Sequence, residues 1–184
     1  MRSLILAALI CAAVPALADS RADMRKAEVD LLLKSLATAP DEETAAGLET
    51  RIKEMWLQAG SPAATLLMSR GMRDLQNQAA DEAEQDFNAV LTLQPDLTEA
   101  YERRAVARFA AGDYKGALTD LEVTLQREPR HFAALQTLSR IAEARGDNKG
   151  ALLAWKKAME LDPKTPGGGK RLQELTRKVE GQAI

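Results

Sequence analysis

The stretch GDYKGALTDLEVTLQREP, residues 112–129, returns 34 residues later as GDNKGALLAWKKAMELDP, residues 146–163. Both copies open on Gly-Asp, a pair suited to ending one helix and capping the next. Both close on proline, which lacks the amide hydrogen needed to continue a helix. The prolines at 95, 129 and 163 keep the same spacing. A fixed period of this length signals stacked units, each too small to bury its apolar face alone.

Rows of 34 fall at residues 64–97, 98–131 and 132–165, and their columns agree. The eighth column is small (Gly71, Ala105, Ser139) and the twentieth is always alanine (Ala83, Ala117, Ala151). The twenty-fourth is large and apolar (Phe87, Leu121, Trp155), and the twenty-eighth stays apolar (Leu91, Leu125, Met159). Short side chains let two antiparallel helices approach, and large ones fill the seam toward the next unit. The first row has Gln78, Ala79 and Ala80 where the others carry Gly-Asp, so its turn is less well marked.

Outside the rows the same helical spacing continues in Leu48, Ile52, Met55, Trp56 and Ala59, and in Leu172, Leu175 and Val179. The chain is rich in alanine and leucine, only 4% aromatic, and shows no sustained apolar/polar alternation. An all-α fold is expected.

Tyr101, Ala105, Gly112, Asp113, Tyr114, Ala117, Leu121 and Pro129, with the matching columns on either side, resemble the tetratricopeptide repeat family, and within it small exported bacterial members. The resemblance covers residues 64–165 and implies a solenoid of antiparallel helix pairs. It departs at the seventh column, which holds Arg70 and Arg104 before Leu138. There an arginine stem is expected along the apolar seam with its head in water. A stacked array leaves an apolar face open at each end. Residues 19–63 are expected to form an N-terminal helical hairpin, either a cap or a degenerate repeat. Ser61 and Pro62 then start the first matched repeat, and residues 166–184 supply a C-terminal capping helix and tail.

Residues 1–18 follow a different pattern. Arg2, an apolar run over residues 4–14 and the small-residue exit PALA at 15–18 have the layout of a secretory signal peptide cut after Ala18. This predicts export across the inner membrane to the periplasm. The run is shorter than the roughly 20 residues of a membrane-spanning helix, so no span is expected in the mature chain. The only cysteine, Cys11, lies inside the leader, and Ala8 and Ile10 depart from the lipid-attachment pattern around it. Cleavage would leave no disulfide; retention of the leader as an anchor stays open. Without Arg2 the chain carries 24 Lys+Arg against 27 Asp+Glu, with both signs interspersed, which argues against a nucleic-acid partner.

The sequence offers little for catalysis: one histidine, no cysteine beyond the leader and no His-Glu-x-x-His. No enzyme activity, metal or cofactor is predicted. His131 falls between two rows and reads as an exposed turn residue. Glu42 and Glu43, and Asp81, Glu82 and Glu84, read as helix-start charges. PGGGK at residues 166–170 would need glycine at 164 and Ser or Thr at 171 to be a phosphate loop, but has Lys164 and Arg171. It reads as a flexible hinge.

The resemblance implies that the first helix of each repeat lines a concave groove for a peptide or partner segment. Carried over by column, the groove candidates are Met68, Met72 and Leu75, then Glu102, Arg103, Val106 and Phe109, then Gln136 and Arg140. The family's carboxylate clamp of Lys and Asn at the fifth and ninth columns is absent. An adaptable methionine floor rimmed by Arg103 and Arg140 would replace it, unless the N-terminal hairpin covers Met68, Met72 and Phe109. Two readings follow: an exported scaffold or adaptor that binds a protein or peptide partner, or a rigid spacer or accessory subunit of an envelope complex or homo-oligomer. The small columns generate a direct test of the repeat register: Ala117→Leu or Ala151→Leu should overpack the helix pair and cost about 1–3 kcal/mol in thermal or urea unfolding.

Overall fold

A computed structural model of the chain describes residues 8–181, with side chains from Arg21 onward. Among these residues the order is α1 (Ala8–Leu36), α2 (Glu42–Leu57), α3 (Pro62–Gln76), α4 (Ala80–Leu93), α5 (Thr98–Ala110), α6 (Tyr114–Arg127), α7 (Phe132–Ala144), α8 (Asn148–Leu161) and α9 (Gly168–Gly181), with no strand. The leader expected over residues 1–18 lies partly outside the described residues. Its remainder belongs to α1, whose backbone runs unbroken past Ala18 and Asp19. No described helix is long and apolar enough to cross a membrane.

Helices α3/α4, α5/α6 and α7/α8 are the three repeats, and their ends follow from local chemistry. Ser61 caps α3, with Pro62 in the first turn where its missing amide hydrogen is not needed. Asp113 and Asp147 cap α6 and α8 by accepting the amides of Gly116 and Gly150 at 2.9 and 2.8 Å. Just before them Gly112 and Gly146 take positive φ, 84° and 78°, which glycine adopts without penalty. In the first repeat Gln78 is forced into the same left-handed conformation (φ 62°), and Ala79 offers no side-chain cap.

Inside each repeat the small columns set the approach of the paired helices. A Cβ added at Gly71 would sit 2.8 Å from the Phe87 ring, so a bulky aromatic side chain faces the smallest residue of the eighth column. Ser139 fills the same place in the third repeat and donates its hydroxyl to the Ala151 carbonyl at 2.8 Å. Ala83, Ala117 and Ala151 are fully buried.

The seventh column departs from its expected form. Arg104 does not carry its head to water but holds buried Asp120 through Nε and Nη2 at 2.9 and 2.6 Å, and reaches Asn88 Oδ1 at 2.7 Å. Arg70 pairs likewise with buried Asp86, while most of its own side chain stays exposed. The reason is a carboxylate sixteen residues later, on the facing helix, at the same level of the pair. In the third repeat the two positions hold Leu138 and Ala154.

The hairpin α1/α2 is not stacked on the first repeat as the repeats are on one another, although Leu57 at the end of α2 packs against the first-repeat core. The hairpin folds across the first helices of repeats 2 and 3, where Val29, Leu33, Ile52 and Met55 pack with Phe132, Ala133 and Leu161. Gln94 turns the connection by accepting the Ser61 amide at 2.9 Å and donating to the Ala59 carbonyl at 3.0 Å. Leu66 on the outer side of α3 is left 69% exposed.

At the other end α9 buries Leu175 against Ala151 and Trp155. The glycine run that leads into it, expected as a flexible hinge, is anchored at its middle residue, while Gly167 and Gly169 stay exposed. Gly168 is buried, and its carbonyl accepts the Trp155 indole N–H at 3.2 Å.

The strained turn of the first repeat can be repaired with the chemistry of its neighbours. Gln78→Gly with Ala79→Asp should raise stability by about 1–2 kcal/mol in urea unfolding, by relieving the left-handed residue and adding the missing cap.

Candidate functional site

The first helices α3, α5 and α7 present one face, and the hairpin occupies part of it. Trp56 of α2 stacks on the His131 ring with centroids 4.1 Å apart and planes 15° from parallel. His131 is therefore buried, contrary to its expected exposure as a turn residue. Its Nδ1 accepts the Ala134 amide at 3.2 Å, which caps α7 and leaves the ring proton on Nε2. Nε2 then donates to Glu99 Oε2 at 3.1 Å. Arg103 Nε donates to the other oxygen of Glu99 at 2.8 Å. Burial pushes the Glu99 carboxyl up, but Arg103 and His131 outweigh it and hold the group below the ordinary carboxylate range.

A second polar contact ties α2 to the end of α8. Thr165 Oγ1 donates to Glu49 Oε1 at 3.0 Å, Gln136 Nε2 donates to Thr165 at 3.2 Å, and Lys53 Nζ donates to Glu49 Oε2 at 2.6 Å. Beside them the Asp162 carboxyl is fully buried with no hydrogen bond to either oxygen from the ordinary donors around it. Burial, followed by the neighbouring Glu49 carboxylate, pushes Asp162 up to about 7. A protonated Asp162 can donate to Glu49, so one shared proton suits this pair better than two charges. At the edge Arg130 Nη2 donates to Asp30 at 2.6 Å, joining α1 to the turn between repeats 2 and 3.

The rest of the face is an open cleft of about 860 Å³. Six of the nine groove candidates line it together: Glu102, Arg103, Val106, Phe109, Gln136 and Arg140. Arg140 lies over the Phe109 ring at 5.1 Å, and Lys53 closes the cleft on the hairpin side. Met68, Met72 and Leu75 are not brought into it. Met68 is fully buried in the core of the first repeat beside Ala64 and Phe87, with Met72 and Leu75 packed against that core. The methionine floor is therefore absent from the cleft. The physical reason lies in the fifth column, which turns toward the following first helix: Glu102 in the same column is also buried, with Thr137 donating to it at 3.4 Å. In the third repeat, which has no following first helix, the fifth-column Gln136 stays only half-buried and lines the open cleft with Val106, Phe109 and Arg140.

The hairpin's contribution, from Glu49, Lys53 and Trp56, was not evident as part of the site. The sole hint was the apolar stripe through Ile52, Met55 and Trp56, which required a partner without naming it. Among the described residues no group of three or more His, Cys, Asp or Glu side chains is arranged to hold a metal ion.

No family model matches the chain. It is 28% identical over 156 residues to a TPR repeat-containing protein of Rhizobium etli, covering 85% of this chain and 76% of that one. It superposes on the Sgt2 TPR domain of Aspergillus fumigatus with a TM-score of 0.62 at 25% identity, over 67% of this chain and 83% of that domain. The chain has the tetratricopeptide repeat fold. The TPR fold is shared also with the first TPR of Spaghetti (RPAP3), described as bound to the HSP90 peptide SRMEEVD, at a TM-score of 0.60 and 18% identity over 65% of this chain and 95% of that one.

The Glu49–Asp162 contact makes the seating of the hairpin on the TPR array sensitive to pH. An acid whose folded pKa is raised stabilises the fold below its unfolded pKa of about 4, and that stability is lost as pH rises through about 7. The wild type should therefore lose urea stability between pH 5 and 8 relative to Asp162→Asn, whose amide can donate to Glu49 at every pH.

Proposed function

We propose that this TPR protein is a non-catalytic adaptor that holds a segment of a protein partner in the open part of its concave face, and that it does so in the bacterial envelope. The observation that carries the reading is the convergence of Val106, Phe109, Gln136 and Arg140 in one cleft. Apolar walls there would accept side chains, and Gln136 and Arg140 would meet the polar backbone or a carboxylate. The peptide-bound state named for the RPAP3 domain supports peptide binding by this fold. The leader-like residues 1–18 support export.

The alternative, a rigid spacer or accessory subunit of an envelope complex, draws on a different observation. The protein's own hairpin already fills the side of the groove at Phe132 and His131, leaving less of it for a partner.

Arg140→Glu separates the readings because Arg140 is exposed and makes no ion pair among the described residues. Immobilised wild-type protein should retain a partner from a bacterial envelope extract, and the variant should retain at least about tenfold less with an unchanged melting temperature. Equal retention by both proteins would favour the spacer.

A further inference from the structure

The two seams between successive repeats are built from opposite chemistry. In the first, Arg104 and Arg108 of α5 hold a polar lattice: Arg104 binds Asp120 and Asn88, and Arg108 Nε binds Glu84 at 2.8 Å while its Nη1 binds Asp120 at 2.9 Å. One period later the corresponding positions are Leu138 and Ala142 for the two arginines, with Ala154 for Asp120, Glu122 for Asn88 and Leu118 for Glu84. Carbon thus replaces charge at four of the five places.

The second seam is not closed by this exchange. A cleft of about 460 Å³ remains between α6, α7 and α8, walled by Leu118, Leu125, Leu138, Ile141, Leu153 and Ala154. Leu153 stands at its mouth, 59% exposed. The rim carries Arg145 and Lys157, neither of which has a carboxylate partner among the described residues. The remaining rim charge, Asp147, is engaged in accepting the Gly150 amide. Glu122, farther along α6, accepts from Gln126 at 3.2 Å. The cleft lies away from the concave face, and none of the groove candidates lines it.

We propose that this cleft is a second docking site, which takes leucine-like side chains from a partner segment bearing carboxylates beside them. The apolar walls gain by excluding water from such side chains, and the two uncommitted cations select acidic flanks over basic ones. The site is independent of what occupies the concave groove.

The test uses the full chain labelled with 15N and two probes, acetyl-Glu-Leu-Leu-Glu-amide and acetyl-Lys-Leu-Leu-Lys-amide. The acidic peptide should shift the amides of Leu118, Leu138 and Leu153 saturably, and the basic peptide should bind at least about tenfold more weakly. Leu138→Arg with Ala154→Asp, which installs the ion pair of the first two repeats, should abolish the shifts. Leu153→Glu alters an exposed side chain and should weaken binding even if the double variant folds poorly. Equal binding of both peptides, absence of shifts, or shifts that persist in a folded double variant or in Leu153→Glu would overturn the proposal. So would concentration-dependent broadening of the same amides without peptide, which would make a second copy of this chain the occupant.

Discussion

The close approach of two helices within each repeat is the constraint on which the rest of the molecule depends. It exists because Gly71, Ala105 and Ser139 face a helix that carries Ala83, Ala117 and Ala151, leaving room for Phe87, Leu121 and Trp155 to fill the seam. Each added methylene would separate the helices and empty the space around those larger side chains. The turns serve the same geometry. Gly112 and Gly146 reverse the chain in the left-handed region, and Asp113 and Asp147 start the return helix at once, so the pair is held close from its first turn.

This regularity was legible from the sequence because it repeats: a column constrained three times leaves three records. What happens once leaves no such record. The destination of the hairpin depends on Trp56 meeting His131 and on Glu49 meeting Thr165, pairs separated by 75 and 116 residues that share no period. The fifth column misled for a related reason. Met68 and Glu102 occupy positions that face a groove in the family pattern, yet the next first helix covers both. Burial of a column is set by the tilt between successive repeats, which a list of residue types does not encode.

The hairpin and the concave face form one polar and apolar unit. The apolar stripe of α2 would be a costly exposure on a free hairpin, and Phe132 and Ala133 give it a place on the third repeat. Buried charges make that seating specific. Glu99 is shared by Arg103 and His131, and His131 in turn stacks under Trp56, so displacement of α2 would open the imidazole and the ion pair to water together. Asp162 works in the opposite sense, since its carboxyl is comfortable beside Glu49 only with a proton.

The seventh and twenty-third columns show how such an array can diversify without losing its frame. They read Arg70 with Asp86, Arg104 with Asp120, and Leu138 with Ala154, so each repeat is either charged at both positions or apolar at both. A mixed pair would strand a buried charge, which is far costlier than either matched pair. The two positions must therefore change together, and one concerted exchange converts a sealed polar seam into an apolar cleft. The agreeing columns preserve the stack while the disagreeing ones change what its surface can hold. In this protein the largest disagreement lies on the seam between repeats 2 and 3, on a different face from the groove across which the hairpin is folded.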